Sequence, residues 1–129
     1  MADDFIAVVP VFPVPNLENT ARFYVDVLGF ARQDRLNSAE PHIYLSRDGI
    51  QIVLTSAGTS RAYPNRLTYG YGYDAYIVTD EQNKLLEDFA LKGARIVVVS
   101  GAEGSHNGEF AVEDIDGRWI AFGKPLVQS

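Results

Sequence analysis

Two histidines, His42 and His106, are the side chains of this sequence best suited to ligate a metal or to transfer protons near neutral pH. The chain has no cysteine, which excludes disulfides, thiolate catalysis and cysteine-based zinc sites. A nucleophilic triad would place a serine beside a histidine and an acid, and no nucleophile-elbow pattern is present. Any metal in this protein must therefore bind through histidine and carboxylate side chains.

A second candidate for metal chemistry is the group Glu103, His106 and Glu109, whose spacing resembles that of a small metal cluster. Two of the three lie within residues 101–108, a glycine-rich stretch that would hold no rigid ligand geometry. No helix follows these glycines, so the context is also wrong for a phosphate-binding loop. The sequence favours an ordinary loop between two strands, which could close over a ligand.

Aromatic side chains are concentrated in residues 62–73, which hold four of the seven tyrosines of the chain. A tyrosine offers a large apolar area with a polar tip, which suits a planar or cationic ligand. Tyrosine is equally common at the seam between two modules or two subunits. Both interpretations of this stretch stay open.

The first half of the chain predicts a strand, a helix and three further strands. Residues 6–14 are almost wholly apolar, and Pro10 and Pro13 indicate an edge or end strand because proline cannot donate to a sheet. Asn16 is the expected N-cap of a helix that ends at Gly29. Short segments separated by turn residues then predict strands at residues 31–36, 42–46 and 50–55.

The second half repeats this order of elements. It predicts a strand at residues 73–78, a helix from the N-cap Asp80 to Gly93, and strands near residues 95–99, 109–113 and 119–122. Each helix spans 13 positions from cap to glycine. We therefore predict a tandem duplication in an α+β fold, in which each half-sheet buries one face under its helix and leaves the other as a wall of a cleft.

The domain organisation follows from this duplication. Residues 1–129 form one domain, with the first module at about residues 5–56, a linker at residues 57–72 and the second module at about residues 73–125. The net charge of -6 and the absence of a basic cluster argue against nucleic acid as a partner. An acidic surface would favour a cationic small molecule, although solubility explains it more simply. The acidic start and short apolar runs predict no membrane span, and we expect a cytoplasmic location.

The two ends of the predicted domain resemble those of a known family. The segments VFPVPNL from Val11, ARFY from Ala21 and VLGF from Val27 look like the opening strand and helix of the glyoxalase, bleomycin-resistance and dioxygenase superfamily, also called vicinal oxygen chelate proteins. The segment DIDGRWIAF from Asp114 resembles the closing hairpin, D-P-D-G-N-x-I-E-L. Ile115, Arg118 and Ala121 depart from that pattern, while the resemblance as a whole covers almost the entire chain.

This resemblance implies two βαβββ modules that form a U-shaped mixed sheet with helices on the outer face. Metal-dependent members hold a divalent ion in the cleft with one ligand from each of four strands, and those positions align here with Val9, Val53, Tyr73 and Ala121. Valine and alanine have no lone pair to offer, and one phenol is a poor sole ligand. The chain is therefore similar to the metal-free, bleomycin-resistance-like branch, and we expect neither a metal nor another cofactor.

Three functions are compatible with these residues. The first is a homodimeric protein that binds a small molecule, such as an antibiotic or another aromatic or cationic compound. The second is a glyoxalase-like lyase or a dioxygenase-like enzyme with a relocated or absent metal, in which His42, Gln51 and Tyr73 are the polar participants; no catalytic residue is assigned. The third is a non-catalytic regulatory or immunity partner whose cleft is filled by side chains. The predicted cleft lining is Val9, His42, Tyr44, Gln51, Val53, Tyr73, Trp119 and Ala121.

Overall fold

The computed structural model describes residues 4–35, 39–58, 61–99 and 108–124, which form two similar modules. None of the helices in these residues is long and apolar enough to cross a membrane. The elements are β1 (Val11–Val14), α1 (Leu17–Asp26), β2 (Ala31–Arg35), β3 (His42–Arg47), β4 (Ile50–Ser56), α2 (Asn65–Tyr69), β5 (Ala75–Val78), α3 (Gln82–Leu91), β6 (Arg95–Val99), β7 (Phe110–Glu113) and β8 (Trp119–Gly123). The predicted α+β class with two βαβββ modules is confirmed.

Each module contains one four-stranded mixed sheet, and the two sheets have the same topology. The strand orders are β1-β4-β3-β2 and β5-β8-β7-β6. In each sheet the first strand pairs in parallel with the last, and the other pairs are antiparallel. β1 lies at an edge, as Pro10 and Pro13 predict, and the carbonyl of Pro10 accepts a hydrogen bond of 3.0 Å from the backbone N–H of Val53.

The helix of the first module begins and ends where its sequence predicts. The Asn16 side chain accepts a hydrogen bond of 2.9 Å from the backbone N–H of Asn19, which satisfies one free donor of the first turn. Gly29 adopts a φ of 78°, a left-handed conformation that ends the helical segment. Ala21 and Tyr24 are buried on the face that packs against the sheet.

The second helix departs from prediction at its start. The predicted N-cap was Asp80, whereas the N-cap is Glu81 and the helix begins at Gln82. The Thr79 hydroxyl accepts a hydrogen bond of 2.9 Å from the backbone N–H of Glu81, and this turn moves the start by one residue. Gly93, with a φ of 85°, follows the end of the helix as predicted.

One apolar core runs through both modules. It combines buried side chains beneath α1 with aromatic rings beneath α3, where Phe110 and Phe122 stack with ring centroids 5.2 Å apart. Its other largest fully buried members are Tyr24, Leu28, Ile43, Leu45, Ile52, Leu54, Phe89 and Ile120. Because the core is shared, the two modules stabilise each other.

Polar contacts join α1 to the β7–β8 turn of the second module. The Tyr24 hydroxyl donates to Asp114 Oδ2 at 2.7 Å, and the Thr20 hydroxyl donates to Asp116 Oδ2 at 2.6 Å. Asp114 is 4% exposed, and its Oδ1 also accepts the backbone N–H of Asp116 at 2.8 Å and that of Arg118 at 2.9 Å. Burial raises the pKa of Asp114, although the hydrogen bond from Tyr24 lowers it in part.

Arg118, one of the departures from the family pattern, makes a second connection between the modules. Its side chain is buried, its Nη2 donates to the carbonyl of Pro13, and its guanidinium carbon lies 4.8 Å from the ring centre of Phe12. Both partners belong to β1. The arginine at this position therefore anchors the closing hairpin to the first strand.

The predicted linker, residues 57–72, contains a short helix, α2. Gly70, with a φ of 89°, ends this helix. Asn65 bonds to the start of the second module: its backbone N–H donates to Asp74 Oδ1 at 3.1 Å and its Nδ2 donates to the carbonyl of Tyr73 at 3.1 Å. The Tyr73 carbonyl and the Asp74 side chain are thus bonded to the linker helix. The backbone N–H of Asp74 bonds to the carbonyl of Trp119 at 3.0 Å, and β5 begins at Ala75 instead of the predicted Tyr73.

Candidate functional site

The sheet of each module has a cleft face, defined here as the face opposite its helix. In β3, Ile43 and Leu45 are buried beneath α1, whereas Tyr44 is 41% exposed on the cleft face. The strand register places Tyr44 beside Val53, and Val53 beside Val11. The predicted alternation of β3 is therefore confirmed, and its cleft face is open to solvent at Tyr44.

His42 lies on the same face as Tyr44, with the two rings edge to face and their centroids 5.0 Å apart. Its Nδ1 lies 2.7 Å from the carbonyl oxygen of Glu40. A carbonyl oxygen can only accept, so this contact requires a proton on Nδ1, and in the neutral tautomer that carries this proton Nε2 is an acceptor. His42 can therefore accept a hydrogen bond from a ligand that stacks on Tyr44.

A depression of about 380 Å³ lies on the cleft face of the first module. Gln51 and Ser46 are neighbours across β3 and β4, and Gln33 is the neighbour of Tyr44 across β2 and β3. All are in its lining, which consists of Ala31, Arg32, Gln33, Tyr44, Leu45, Ser46 and Gln51. An aromatic ring thus adjoins two amides and a hydroxyl, which can supply both donors and acceptors.

The N-terminal segment runs past this face without joining the sheet as a strand. Val9 is half-buried, two residues before β1. Phe5, Ile6 and Val8 are each more than 90% exposed. A wider cavity of about 710 Å³ lies between residues 6–10, residues 49–52 and residues 75–78, so that Val9 and Gln51 line the same space as β5.

The cleft face of the second module is closed at its centre. Trp119 and Ala121 share this face of β8, because Ile120 and Phe122 point into the core. Ala121 is 0% exposed, and its register neighbour Ala111 is equally buried. Ala121 therefore lies at the predicted face but offers no accessible surface to a ligand.

A cation from the linker helix covers Trp119. The guanidinium carbon of Arg66 lies 4.5 Å from the ring centre of Trp119, and its Nη2 donates to Glu113 Oε1 at 3.0 Å. The same carboxylate oxygen accepts the indole N–H of Trp119 at 2.9 Å and lies 3.5 Å from Nε of Arg95. This arrangement occupies one face of the indole with a side chain of the protein itself.

Two tyrosines share a carboxylate at the other end of this face. Tyr73 and Tyr76 have ring centroids 6.2 Å apart, and both hydroxyls bond to Glu109. The hydrogen bond to Glu109 raises the pKa of Tyr76 to about 12, and burial is the larger cause that raises the pKa of Tyr73. A Cβ added at Gly123 would overlap the Tyr76 hydroxyl, so the hydroxyl reaches this position only because the neighbouring residue is glycine.

Two of the four positions aligned with the family's metal ligands, Val9 and Tyr73, lie just before strands β1 and β5, so their assignment stays a prediction. Across the parallel strand pairs, Val11 is the neighbour of Val53 and Tyr76 is the neighbour of Ala121. Within the described residues, no group of three or more His, Cys, Asp or Glu side chains is arranged to hold a metal ion. Valine, alanine and a single phenol do not fit a divalent ion. Glu103 and His106 lie outside the described residues, so the loop interpretation of residues 101–108 stays a prediction.

Sequence reasoning assigned no role on this face to Arg66, Tyr76 or Glu113, and it considered Glu109 only as a metal ligand beside Glu103 and His106. Tyr76 could have been found, because alternation in a buried strand places it opposite Ile77. Glu113 lies in β7 as predicted, whereas Glu109 immediately precedes this strand, which begins at Phe110. Arg66 carries no local signal, since its contact with Trp119 joins residues far apart in sequence.

Comparison with known proteins places the chain in a family. Residues 6–122 match the model of the Glyoxalase/Bleomycin resistance protein/Dioxygenase superfamily. The chain belongs to this superfamily. A comparison with curated protein sequences finds no match.

Solved structures with this fold include antibiotic-binding proteins and antibiotic resistance proteins. The bleomycin-binding protein of Streptomyces verticillus, in complex with copper(II)-bleomycin, has 20% identity and a TM-score of 0.70, with 97% of this chain and 100% of that chain covered. The antibiotic binding protein TnmS3 of Streptomyces sp. CB03234 has 18% identity and a TM-score of 0.66, with coverages of 94% and 98%. The fosfomycin resistance protein FosX of Listeria monocytogenes has 12% identity and a TM-score of 0.66, with coverages of 99% and 96%. At these identities, the likeness is one of fold.

Proposed function

We propose that this protein binds an aromatic or cationic small molecule in a metal-free cleft and sequesters it without transforming it. The observation that carries the proposal is the cleft face of the first module, where Tyr44 and neighbouring amides line an open depression. Val53 lies on this face beside Tyr44, and the resemblance predicts that it occupies a position where metal-dependent members carry a ligand. An antibiotic is a suitable class of ligand, because the names of similar structures include antibiotic-binding and resistance proteins.

The side chains of the cleft suit a planar molecule with polar groups on its rim. Tyr44 offers a ring face or edge for stacking, while Gln51 and His42 Nε2 can hydrogen-bond to groups at the edge of the ligand. On the other module, the Tyr73 and Tyr76 rings lie close to the carboxylate of Glu109. Aromatic rings beside a carboxylate favour a cationic group.

A homodimer in the cytoplasm is part of this proposal. The almost fully exposed side chains of Phe5, Ile6 and Val8 form an apolar strip of a kind that soluble proteins usually bury in an interface. A second copy could cover this strip together with the open cleft face of the first module. The lack of cysteine in the sequence is compatible with the reducing cytoplasm.

One observation favours the alternative of a glyoxalase-like lyase or a dioxygenase-like enzyme with a relocated or absent metal. The hydroxyls of Tyr73 and Tyr76 lie beside Glu109, which contributes to raising both pKa values, and like any tyrosine they are protonated at neutral pH. A protonated tyrosine can donate to an oxyanion that develops during a reaction. Perturbed pKa values cluster at active sites, although structural networks also produce them.

A titration series distinguishes the two functions. We expect a screen of aromatic and cationic compounds, bleomycin included, to find a ligand that Tyr44→Ala weakens by roughly ten-fold to a hundred-fold. Tyr69→Ala is the matched control, because Tyr69 is an exposed tyrosine of the linker helix. Recovery of the ligand unchanged after prolonged incubation supports sequestration. Turnover of the ligand or of a hemithioacetal, lost in Tyr76→Phe, would favour the enzyme instead.

A further inference from the structure

A second cavity lies between the modules on the helix side of the sheets, away from the cleft faces. Its volume is about 270 Å³. Ile77 belongs to its lining and pairs with the core residue Phe122, whereas the cleft-face residue Tyr76 points the opposite way. The walls are apolar and come from both modules: Leu28, Phe30 and Ile50 from the first, and Ile77, Leu85 and Phe89 from the second. We call it the helix-side cavity.

One cation, Arg47, stands in the wall of the helix-side cavity. Its Nη1 donates to the carbonyl of Leu28 at 2.7 Å, just after the end of α1. A Cβ added at Gly29 would lie 3.0 Å from the same nitrogen, so a glycine at this position lets the guanidinium approach the backbone closely. The position of Arg47 is therefore fixed by the backbone of the first module.

Most of the hydrogen-bonding capacity of Arg47 is unused in the described part of the chain. A guanidinium has five N–H donors, and the bond to Leu28 takes one of them. Its nearest anion is Asp48, whose Oδ2 lies 3.6 Å from Nε, beyond a normal hydrogen bond. The Asp48 side chain is exposed, so this ion pair is screened by water and weak.

We propose that the helix-side cavity binds a linear aliphatic carboxylate, with the alkyl chain between the modules and the carboxylate on Arg47. The planar guanidinium fork matches a carboxylate in two parallel hydrogen bonds. Asp48 beside it disfavours an anion of higher charge, such as a phosphate dianion. If each methylene takes roughly the 30 Å³ of a water molecule, the volume of this cavity accommodates a chain of about eight carbons.

The test is calorimetric titration of the intact protein with sodium octanoate, hexanoate and 1-octanol. Binding should tighten about four-fold for each added methylene until the cavity is full. Octanoate should bind at least ten-fold more tightly than octanol, and Arg47→Gln should remove this difference while octanol binding is unchanged. No binding of octanoate at millimolar concentration, or equal binding of octanoate and octanol by the unmodified protein, would overturn the proposal.

Two further variants keep the test valid if Arg47→Gln fails to fold. In Asp48→Asn, the asparagine tolerates the observed φ of 52° at this position. This change removes the carboxylate that competes for Arg47, so it should tighten octanoate binding several-fold and leave octanol binding unchanged. Leu85→Phe should fill the helix-side cavity and weaken both ligands. If octanoate binding is instead insensitive to Leu85→Phe and lost in Tyr44→Ala, the ligand occupies the cleft and the proposal is wrong.

Discussion

The guanidinium of Arg66 lies 4.5 Å from the ring centre of Trp119 and bonds to the same glutamate oxygen as the indole N–H. The linker helix α2 thus supplies a cation to the aromatic ring that the sequence marks as a stacking surface. A ligand that stacks on this face of Trp119 must first displace Arg66. The cleft face of the second module is therefore covered at Trp119, whereas that of the first module is open at Tyr44.

Removal of this cover should expose the indole. We expect Arg66→Ala to increase the acrylamide quenching constant of Trp119 about two-fold or more and to shift its emission to longer wavelength, because water replaces the guanidinium. The chain has one tryptophan, so fluorescence reports on this site alone. Arg95→Ala is the control, since Arg95 pairs with the same Glu113 without covering the ring. Equal quenching in Arg66→Ala and the unmodified protein would contradict the arrangement.

The general fold was predictable because its signals are local and occur twice. Asn16 and Gly29 mark one helix, and Gly93 marks the end of the other. Alternation placed His42 and Tyr44 on the cleft face, since a strand buried on one side must alternate. The predicted start of β5 was wrong. The backbone N–H of Asn65 donates to the side chain of Asp74 across the linker, and no local pattern encodes that bond.

Which parts of the cleft are open could not be predicted either, because this also depends on contacts between residues far apart in the sequence. Ala121 was expected to line an open pocket, yet it is fully buried beside Ala111. The cover of Trp119 depends on a side chain 53 positions earlier in the chain, whose place is known only once the linker helix is folded. Contacts of this kind are tertiary, and they decide which half of the cleft accepts a ligand.

The bond between Tyr24 and Asp114 should contribute measurably to stability. Both side chains are buried, and Tyr24→Phe removes one hydrogen-bond donor from the Asp114 carboxylate. We therefore expect the free energy of unfolding at neutral pH to fall by about 1.5–3 kcal/mol. The hydrogen bond from Tyr24 lowers the pKa of Asp114, so its loss penalises the ionised form. The penalty should therefore shrink as the pH falls and Asp114 becomes protonated.

Urea denaturation measures this effect, with Tyr69→Phe as the exposed control. We expect the control to stay within about 0.5 kcal/mol of the unmodified protein. An unchanged midpoint in Tyr24→Phe would show that the contact between the modules carries little free energy.

Tyr76 should make the protein sensitive to alkaline pH. Its pKa is raised from 10.0 to about 12, with the hydrogen bond to Glu109 as the main cause. The stabilisation linked to this hydroxyl is fully present below the unfolded-state pKa and is lost as the pH rises through the folded-state pKa. Between about pH 10 and 12, we therefore expect the free energy of unfolding of Tyr76→Phe to fall less steeply than that of the unmodified protein.

Glu109→Gln provides the matched test of the cause. Without the carboxylate, the pKa of Tyr76 should return toward its ordinary value, which tyrosinate absorbance can follow by difference against Tyr76→Phe. If titration of Tyr76 is the same in Glu109→Gln, the carboxylate is not responsible for the shift.

The exposed N-terminal strip should control assembly. We predict a homodimer at micromolar concentration, and we expect the double change Ile6→Asp and Val8→Asp to weaken it at least ten-fold, because charges would enter an apolar interface. Sedimentation velocity measures the effect. Leu91→Asp is the control, since Leu91 is also a highly exposed apolar residue but lies at the end of α3. A monomeric unmodified protein, or equal dissociation in both variants, would rule out this interface.

Metal binding provides the final test of the cleft. The side chains of Val53 and Ala121 have no lone pairs, and Tyr76, the neighbour of Ala121 across β5 and β8, offers only a phenol. We therefore expect protein purified without chelator to contain less than one equivalent of metal. Titration with nickel, zinc or iron(II) should leave its thermal midpoint unchanged within about 1 °C, since a ligand that binds only weakly adds little stability. His42 is the histidine of the described cleft face, so stoichiometric binding that His42→Ala abolishes would indicate a relocated metal site and favour the enzyme over the binding protein.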